Sequence, residues 1–210
     1  MNNIKTNCIS IPEIPRDEDF QNDYLLFKVN TTGLPRKYNA PIADIDNWPR
    51  VVQLAWILID KKGKIIESND FIIFPENYVI PYDAAKIHGI CNDRAVKEGV
   101  PLESVLSIFN DLLHDVEYVV TYNNFDWQVL GAEYYRKRLS SPLVLKKKIN
   151  IMSLATDFCK LSGPYGWKFP KLSELYQKLF HQNYNLSHDS LSDLRAIEKC
   201  FREMQRRKII

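Results

Sequence analysis

The stretch LLFKVNTTGLPRK, from Leu25 to Lys37, decides how the rest of the chain is read. Tyr24 to Val29 is an apolar run of strand length, and Thr31, Thr32 and Gly33 give a turn signal directly behind it. Side chains two apart on a strand share a face, so Lys28 and Asn30 point the same way at the strand's end. Strand ends that run into glycine turns are frequent sites of function. A lysine and an amide in that place need an explanation from the flanking sequence.

Downstream, VVQLAWILID (51–60) and KIIESNDFIIF (64–74) are two further β-type runs, joined at Lys61, Lys62 and Gly63 by a hairpin signal. With the first strand they make an antiparallel meander. Pro101 then opens a helical segment in which Leu102, Val105, Leu106, Phe109, Leu112 and Leu113 follow the 3.6-residue period. A short strand over 118–122 follows, then a helix beginning just after Asn123, Asn124 and Phe125, with basic residues in its last turn. The segments NIMSLATDFCKL, PKLSELYQKLF and DSLSDLRAIEKCFREMQRR are also helical, interrupted by a turn at SGPYGWKF. Antiparallel strands first, with helices and a parallel strand after them, predict an α/β fold with a mixed sheet.

A chain of 210 residues, 45% hydrophobic and 26% charged, carries enough apolar mass for one sizeable core. Residues 1–22, with Pro12 and Pro15 among acids, read as a poorly structured or loosely packed leader, and 23–210 as a single domain. The net charge of +2 does not announce a nucleic-acid binder, although a basic stripe can hide in a balanced total. Cys8, Cys91, Cys159 and Cys200 have neither zinc-ligand nor disulfide-framework spacing. No apolar run has the roughly 18 residues of a membrane span and the N-terminus lacks a signal-peptide core, so a cytoplasmic protein without a membrane partner is expected.

Three places hold candidate chemistry: Lys28 with Asn30, Asp126 behind the fourth strand, and the segment from His188 to Asp193. His188 and Asp193 are five apart, so one can sit in a loop while the other lies about one turn inside a helix that starts at Ser187 or Asp189. A His and two Asp converging on strand ends suit metal-assisted hydrolysis. Singly, each reads more simply, the aspartates as helix caps and the histidine as a hydrogen-bonded bystander.

Taken in order, NTTGLP, WPRVVQLAWILID, IPYDAAKIHGI, NNFDWQVLGAEYYR, GWKFPKLSELYQKLF and SHDSLSDLRAIEKCF resemble the DEDDh family of 3′-to-5′ exonucleases, the group that includes the proofreading subunit of bacterial replicative polymerases. The resemblance runs from about Tyr24 to Arg206. It implies a ribonuclease H-like fold: a mixed five-stranded sheet, three antiparallel strands first, flanked by helices. The family's first motif is Asp-x-Glu ahead of Thr-Gly, its second an Asp after a Phe, and its third a His followed five residues later by an Asp. Its four carboxylates hold two divalent ions about 4 Å apart that activate water, and the His is the general base. Carried over, Asp126 takes the second position and His188 and Asp193 the third, while Lys28 stands in place of the first motif's Asp and Asn30 in place of its Glu. Thr121 and Tyr122 stand where the family often has His-Asn.

Lys28, Asn30, Asp126 and Asp193 together carry a formal charge of −1, against four negative charges in the family. Magnesium wants hard oxygen donors, so Asp126 and Asp193 beside an ammonium make a weak metal site or none. No tightly bound cofactor is expected, and magnesium or manganese only if activity survives. Asp44 and Asp46, in the loop after the first strand, are the acids that could substitute; Asp23 lies on the opposite strand face. Lys28 is instead read as an internal counterion between Asp126 and Asp193, with Asn30 completing the hydrogen bonding. The resemblance also implies that Thr31, Thr32, Gly33 and Leu34 touch the terminal nucleotide. Tyr122, Trp127, Tyr165, Trp167, Lys168 and Lys146 to Lys148 are candidates for stacking or phosphate contact. Against that, Trp127 also reads as core, Lys146 to Lys148 as a solvated loop, and Arg202, Arg206, Arg207 and Lys208 as a polar helix end. The expected function is a catalytically impaired or inactive exonuclease-like protein that binds single-stranded DNA or RNA 3′ ends. Its alternatives are a weakly active metal-dependent exonuclease with unconventional ligands, or a pseudoenzyme that serves a protein partner.

Overall fold

Alternation along the first strand sets the architecture of the computed structural model, which describes residues 23–187 and 189–210. The expected leader and everything expected of His188 lie outside the described residues. In β1 (Tyr24–Thr31), Leu25, Phe27 and Val29 enter one core while Tyr24 and Leu26 enter a second on the other face. β1 pairs antiparallel with β2 (Val51–Ile59), buried at every position, and β2 with β3 (Ile65–Ile72). At the hairpin between them, Gly63 takes a φ of 79° and donates to the Asp60 carbonyl, while the Asp60 carboxylate accepts from the amides of Lys62 and Lys64. β4 (Tyr118–Thr121) and β5 (Lys147–Asn150) add in parallel on the other side, giving the order β3-β2-β1-β4-β5. This is the mixed five-stranded sheet expected from the sequence.

Two short helices that the sequence reading did not place, α1 (Tyr82–His88) and α2 (Asn92–Glu98), cover Val52 with Ile80, Ile90 and Ala95. α3 (Leu102–Asp115) and α4 (Asn124–Arg136) pack on the Phe27 and Trp56 face. α5 (Ile151–Cys159), α6 (Leu172–Phe180) and α7 (Ser190–Arg206) cover the Tyr24 and Ile57 face. Between α5 and α6 the expected turn is a small hairpin, β6 (Ser162–Gly163) and β7 (Gly166–Trp167), that leaves Tyr165, Trp167 and Phe169 exposed. No helix among the described residues is long and apolar enough to cross a membrane.

The lysine run corrects one expectation. Lys147 and Lys148 are strand residues of β5, not a solvated loop, because parallel pairing with β4 recruits them. Lys146 Nζ donates to the Val116 carbonyl at 2.8 Å, Lys147 pairs with Glu117, and Lys148 Nζ sits 4.8 Å over the Trp127 ring. At the opposite edge β3 is prolonged by an isolated bridge between Ile73 and Val100, with Phe74 N–H donating to Val100 and Val100 N–H to Ile72. That crossing is tight: a Cβ on Gly99 would lie 2.2 Å from the Ala95 carbonyl and 2.7 Å from Phe74 Cα. The entrance of β2 is held by the buried Glu133 of α4, which accepts from Arg50 Nε at 2.9 Å and Val51 N–H at 3.0 Å, with Arg136 at 3.2 Å.

Candidate functional site

The strand period carries Lys28 and Asn30 onto the face that Tyr24 and Leu26 bury beneath α7. α7 starts level with the end of β1, its first turn capped by Asp189, which accepts from Ser192 N–H at 2.9 Å. That start sets Asp193, 1% exposed, against the lysine. Lys28 Nζ lies 3.8 Å from Asp193 Oδ2 and 3.4 Å from Asn30 Oδ1, an ion pair and a long hydrogen bond. The other Asp193 oxygen is taken: Oδ1 accepts from Tyr184 O–H at 2.8 Å, Ser187 N–H at 3.0 Å and Ser187 O–H at 3.1 Å. Asn30 Nδ2 donates to Gln53 Oε1 at 2.9 Å, and Gln53 Nε2 donates to Asp70 at 2.8 Å. A continuous polar chain thus links α7 to all three antiparallel strands.

Asp126 arrives from the other side. Asn123 caps α4 by accepting from Phe125 N–H at 2.8 Å, which places Asp126 in the first turn, 5% exposed. Its Oδ1 accepts from Val29 N–H at 2.9 Å, across the end of β1. Burial pushes its pKa above the ordinary carboxylate range; Lys28 and the Val29 amide act in the opposite direction. Lys28, Asn30, Asp126 and Asp193 all line one cleft of about 410 Å³.

Thr31, Gly33, Leu34 and Tyr122 line the same cleft. Leu34 is 74% exposed at its mouth, while the Thr31 hydroxyl is committed to the Gly33 carbonyl at 2.7 Å. Two candidates are placed differently from their expected roles. Thr32 is outside the lining because its amide and hydroxyl both bond the backbone of Arg50. Tyr122 is 8% exposed with its hydroxyl donating to Pro170, so it is wall and not a free stacking face. Trp127 packs against Phe27 and the core, as one of its two readings had it. Tyr165, Trp167 and Lys168 ride on the β6–β7 hairpin outside the lining, with Lys168 paired to Glu174 at 2.5 Å. Asp44 and Asp46 are also outside it, in a loop that Arg136 anchors through the Ile45 and Trp48 carbonyls.

Sequence reasoning missed His88, Gln53, Asp70 and Tyr184, and it named Ser187 only as a possible helix start, whereas Asp189 caps the helix and Ser187 donates to Asp193. His88 lines the cleft; its Nδ1 accepts from Ile90 N–H at 3.2 Å, so the ring proton belongs on Nε2. Nε2 stands near the Thr31 carbonyl without making a hydrogen bond of ordinary geometry, and burial holds the ring's pKa below the usual histidine value, with Lys28 adding to the effect. The sequence signal for it is Gly89 directly after it: a helix ending in αL glycine, φ 74°, turns its last residue inward here.

The donor set does not suit the divalent ions of the DEDDh pattern. Among the described residues no three His, Cys, Asp or Glu side chains converge. Asp193 has one oxygen saturated by three donors and the other facing an ammonium, and Asp126 has an oxygen committed to a backbone amide.

Among solved structures, the fold is similar to Escherichia coli exonuclease I in complex with a dT13 oligonucleotide, at TM-score 0.70 and 21% identity, covering 90% of this chain and 42% of that one. It is equally similar to a 3′-exonuclease solved for 3′-end specific recognition of histone mRNA stem-loop, at TM-score 0.70 and 19% identity, covering 93% and 67%. A zinc-bound form of the exonuclease I complex with single-stranded DNA matches at TM-score 0.69 and 20% identity, covering 90% and 41%. The chain thus spans about two fifths of exonuclease I. No curated protein matches it by sequence. The RNase_T family model, described as Exonuclease, matches residues 31–201, opening just past Lys28 and Asn30. With most of its length inside that match, the chain belongs to the RNase_T exonuclease family.

Proposed function

We propose that the cleft holds the 3′ end of a single-stranded nucleic acid without hydrolysing it. The observation that carries this reading is the Lys28 ammonium, 3.8 Å from Asp193 and within electrostatic reach of Asp126, in a place where catalysis by the family pattern calls for carboxylates. A fixed cation relieves the repulsion between the two aspartates, and a phosphate entering the cleft meets a formal charge of −1 where the family pattern has four negative charges. Exposed Leu34 and Ile87 flank the opening and offer apolar surface to a terminal base. Single-stranded DNA in exonuclease I, and an RNA 3′ end in the histone mRNA 3′-exonuclease, support the choice of ligand.

The test is a nuclease and binding assay on 5′-labelled single-stranded DNA and RNA, with magnesium and with manganese. Wild type should bind and leave the strand intact, and Lys28→Asp with Asn30→Glu should gain metal-dependent cleavage, incomplete where the surrounding hydrogen bonds no longer suit a metal. Cleavage by wild type that Asp193→Ala abolishes would overturn the proposal in favour of unconventional ligands. Neither binding nor cleavage would point to a protein partner instead.

A further inference from the structure

We infer that the outward face of α7 is a track for the phosphate backbone of a strand that continues beyond the cleft; this rests on the nucleic-acid reading proposed above. The exposed positions past the first turn of α7 are Arg195, Lys199, Arg202 and Arg206, spaced four, three and four apart, which is one stripe along the helix. Every one is a cation. The opposite face, with Leu194, Ile197, Phe201 and Met204, is buried on the sheet.

A merely solvated helix face mixes both signs, because like charges at these spacings repel. Here the acids lie off the stripe and are already used: Glu198 pairs with Arg202 at 3.1 Å, and Glu203 with Arg206 at 2.7 Å and Arg207 at 2.6 Å. The helix dipole accounts for cations in the last turn, but not for Arg195 and Lys199 further back. Neither of those two has an ion pair among the described residues.

The stripe has basic company at one end and shares its helix with the cleft at the other. Asp193 and Ile197 of α7 line the cleft, and Arg195, between them in sequence, stands on the opposite side of the same turn, so a strand leaving the cleft reaches the stripe by passing round the start of the helix. Towards the far end the β2–β3 hairpin adds exposed Lys61, Lys62 and Lys64, and its Gly63 lies so close that a Cβ there would be 2.9 Å from Arg202 Nε. From Arg195 to Arg206 the helix rises about 16 Å at 1.5 Å per residue. That length matches about five phosphates of a stacked strand at 3.4 Å each. The stripe exposes no apolar side chain that could enter a bilayer, which favours a polyanion over a membrane.

The test compares a fluorescent thymidine dinucleotide with a fluorescent oligothymidylate of about 16 nucleotides, the first too short to follow the helix beyond the cleft and the second long enough to reach the stripe. Wild type should bind the longer probe more tightly, and Arg195→Gln with Lys199→Gln should weaken only that probe. With a salt slope of about 0.7 per phosphate contact on single strands, loss of two contacts lowers the slope by about 1.4 and affinity about 25-fold at 0.1 M salt. Unchanged binding of the short probe shows that the variant is folded. Equal wild-type affinity for both lengths, or a variant that binds the longer probe like wild type, overturns the track and leaves the cleft reading standing. Wild type that binds neither probe overturns both, and polyglutamate binding lost in the variant would then reassign the stripe to an acidic protein.

Discussion

Removing the Lys28 charge should cost stability through Asp193. Lys28→Met keeps the apolar stem and deletes the ammonium that faces a carboxylate only 1% exposed. Two unit charges 3.8 Å apart attract by about 4 kcal/mol at an effective dielectric of 20. The Lys28 side chain is 19% exposed, so it gave up much of its hydration to make the pair, and roughly half of the attraction is offset. The net is about 2 kcal/mol, equivalent to a fall of roughly 4–8 °C in Tm for a chain of this size. Asp193→Asn is the matched partner change, since its Oδ1 can still accept from Tyr184 and Ser187. Urea denaturation of wild type, both single variants and the double variant, in chelator, closes a double-mutant cycle. A coupling energy of about 2 kcal/mol is expected. A coupling under about 0.5 kcal/mol, or a Lys28→Met variant as stable as wild type, refutes the counterion argument.

Two other perturbations follow from the geometry. A buried Asp126 carboxyl with a raised pKa contributes stability that is complete below the ordinary aspartate value of about 3.9 and is lost as pH rises through the higher native value. Asp126→Asn keeps an acceptor for Val29 N–H, so in metal-free buffer it should be more stable than wild type at neutral pH and converge with it in acid; thermal melts across pH would expose the opposite order. Gly99→Ala drives a methyl into the Ala95 carbonyl and the Phe74 backbone, neither of which can swing away. A loss of about 3 kcal/mol in chemical denaturation is expected, and a neutral variant would mean that the crossing between Gly99 and Phe74 is looser than described.

What could be read from sequence was what is written locally. The apolar run of Tyr24 to Val29, the hairpin at Gly63 and the helical period after Pro101 each sit in one continuous segment, and the structure has all three. β5 was not legible, because four residues beginning with two lysines have no strand pattern of their own and become a strand only by pairing with β4. α1 and α2 are only seven residues each, too short for a period to declare itself. In the site, Lys28, Asn30, Asp126 and Asp193 were found by their order along the chain. Gln53, Asp70 and Tyr184 were not, since each is a lone polar residue whose partner comes from a different segment of the chain. Exposure is similarly non-local: nothing in the residues around Tyr122 says that Pro170 will accept its hydroxyl proton.

The two borders of the sheet have a consequence for how copies of the molecule meet. An unpaired strand border is a template on which another chain can extend the sheet. On one side the outermost strand is four residues long and opens with Lys147 and Lys148, so an incoming strand would face few backbone groups and two cations. On the other, Val100 takes up backbone groups just past Ile72, and the outer strand carries Glu67, Asn69 and Asp70. Among the described residues, charge at one border and the Val100 bridge with the acids of the other work against strand addition, which favours an open sheet and with it an open cleft.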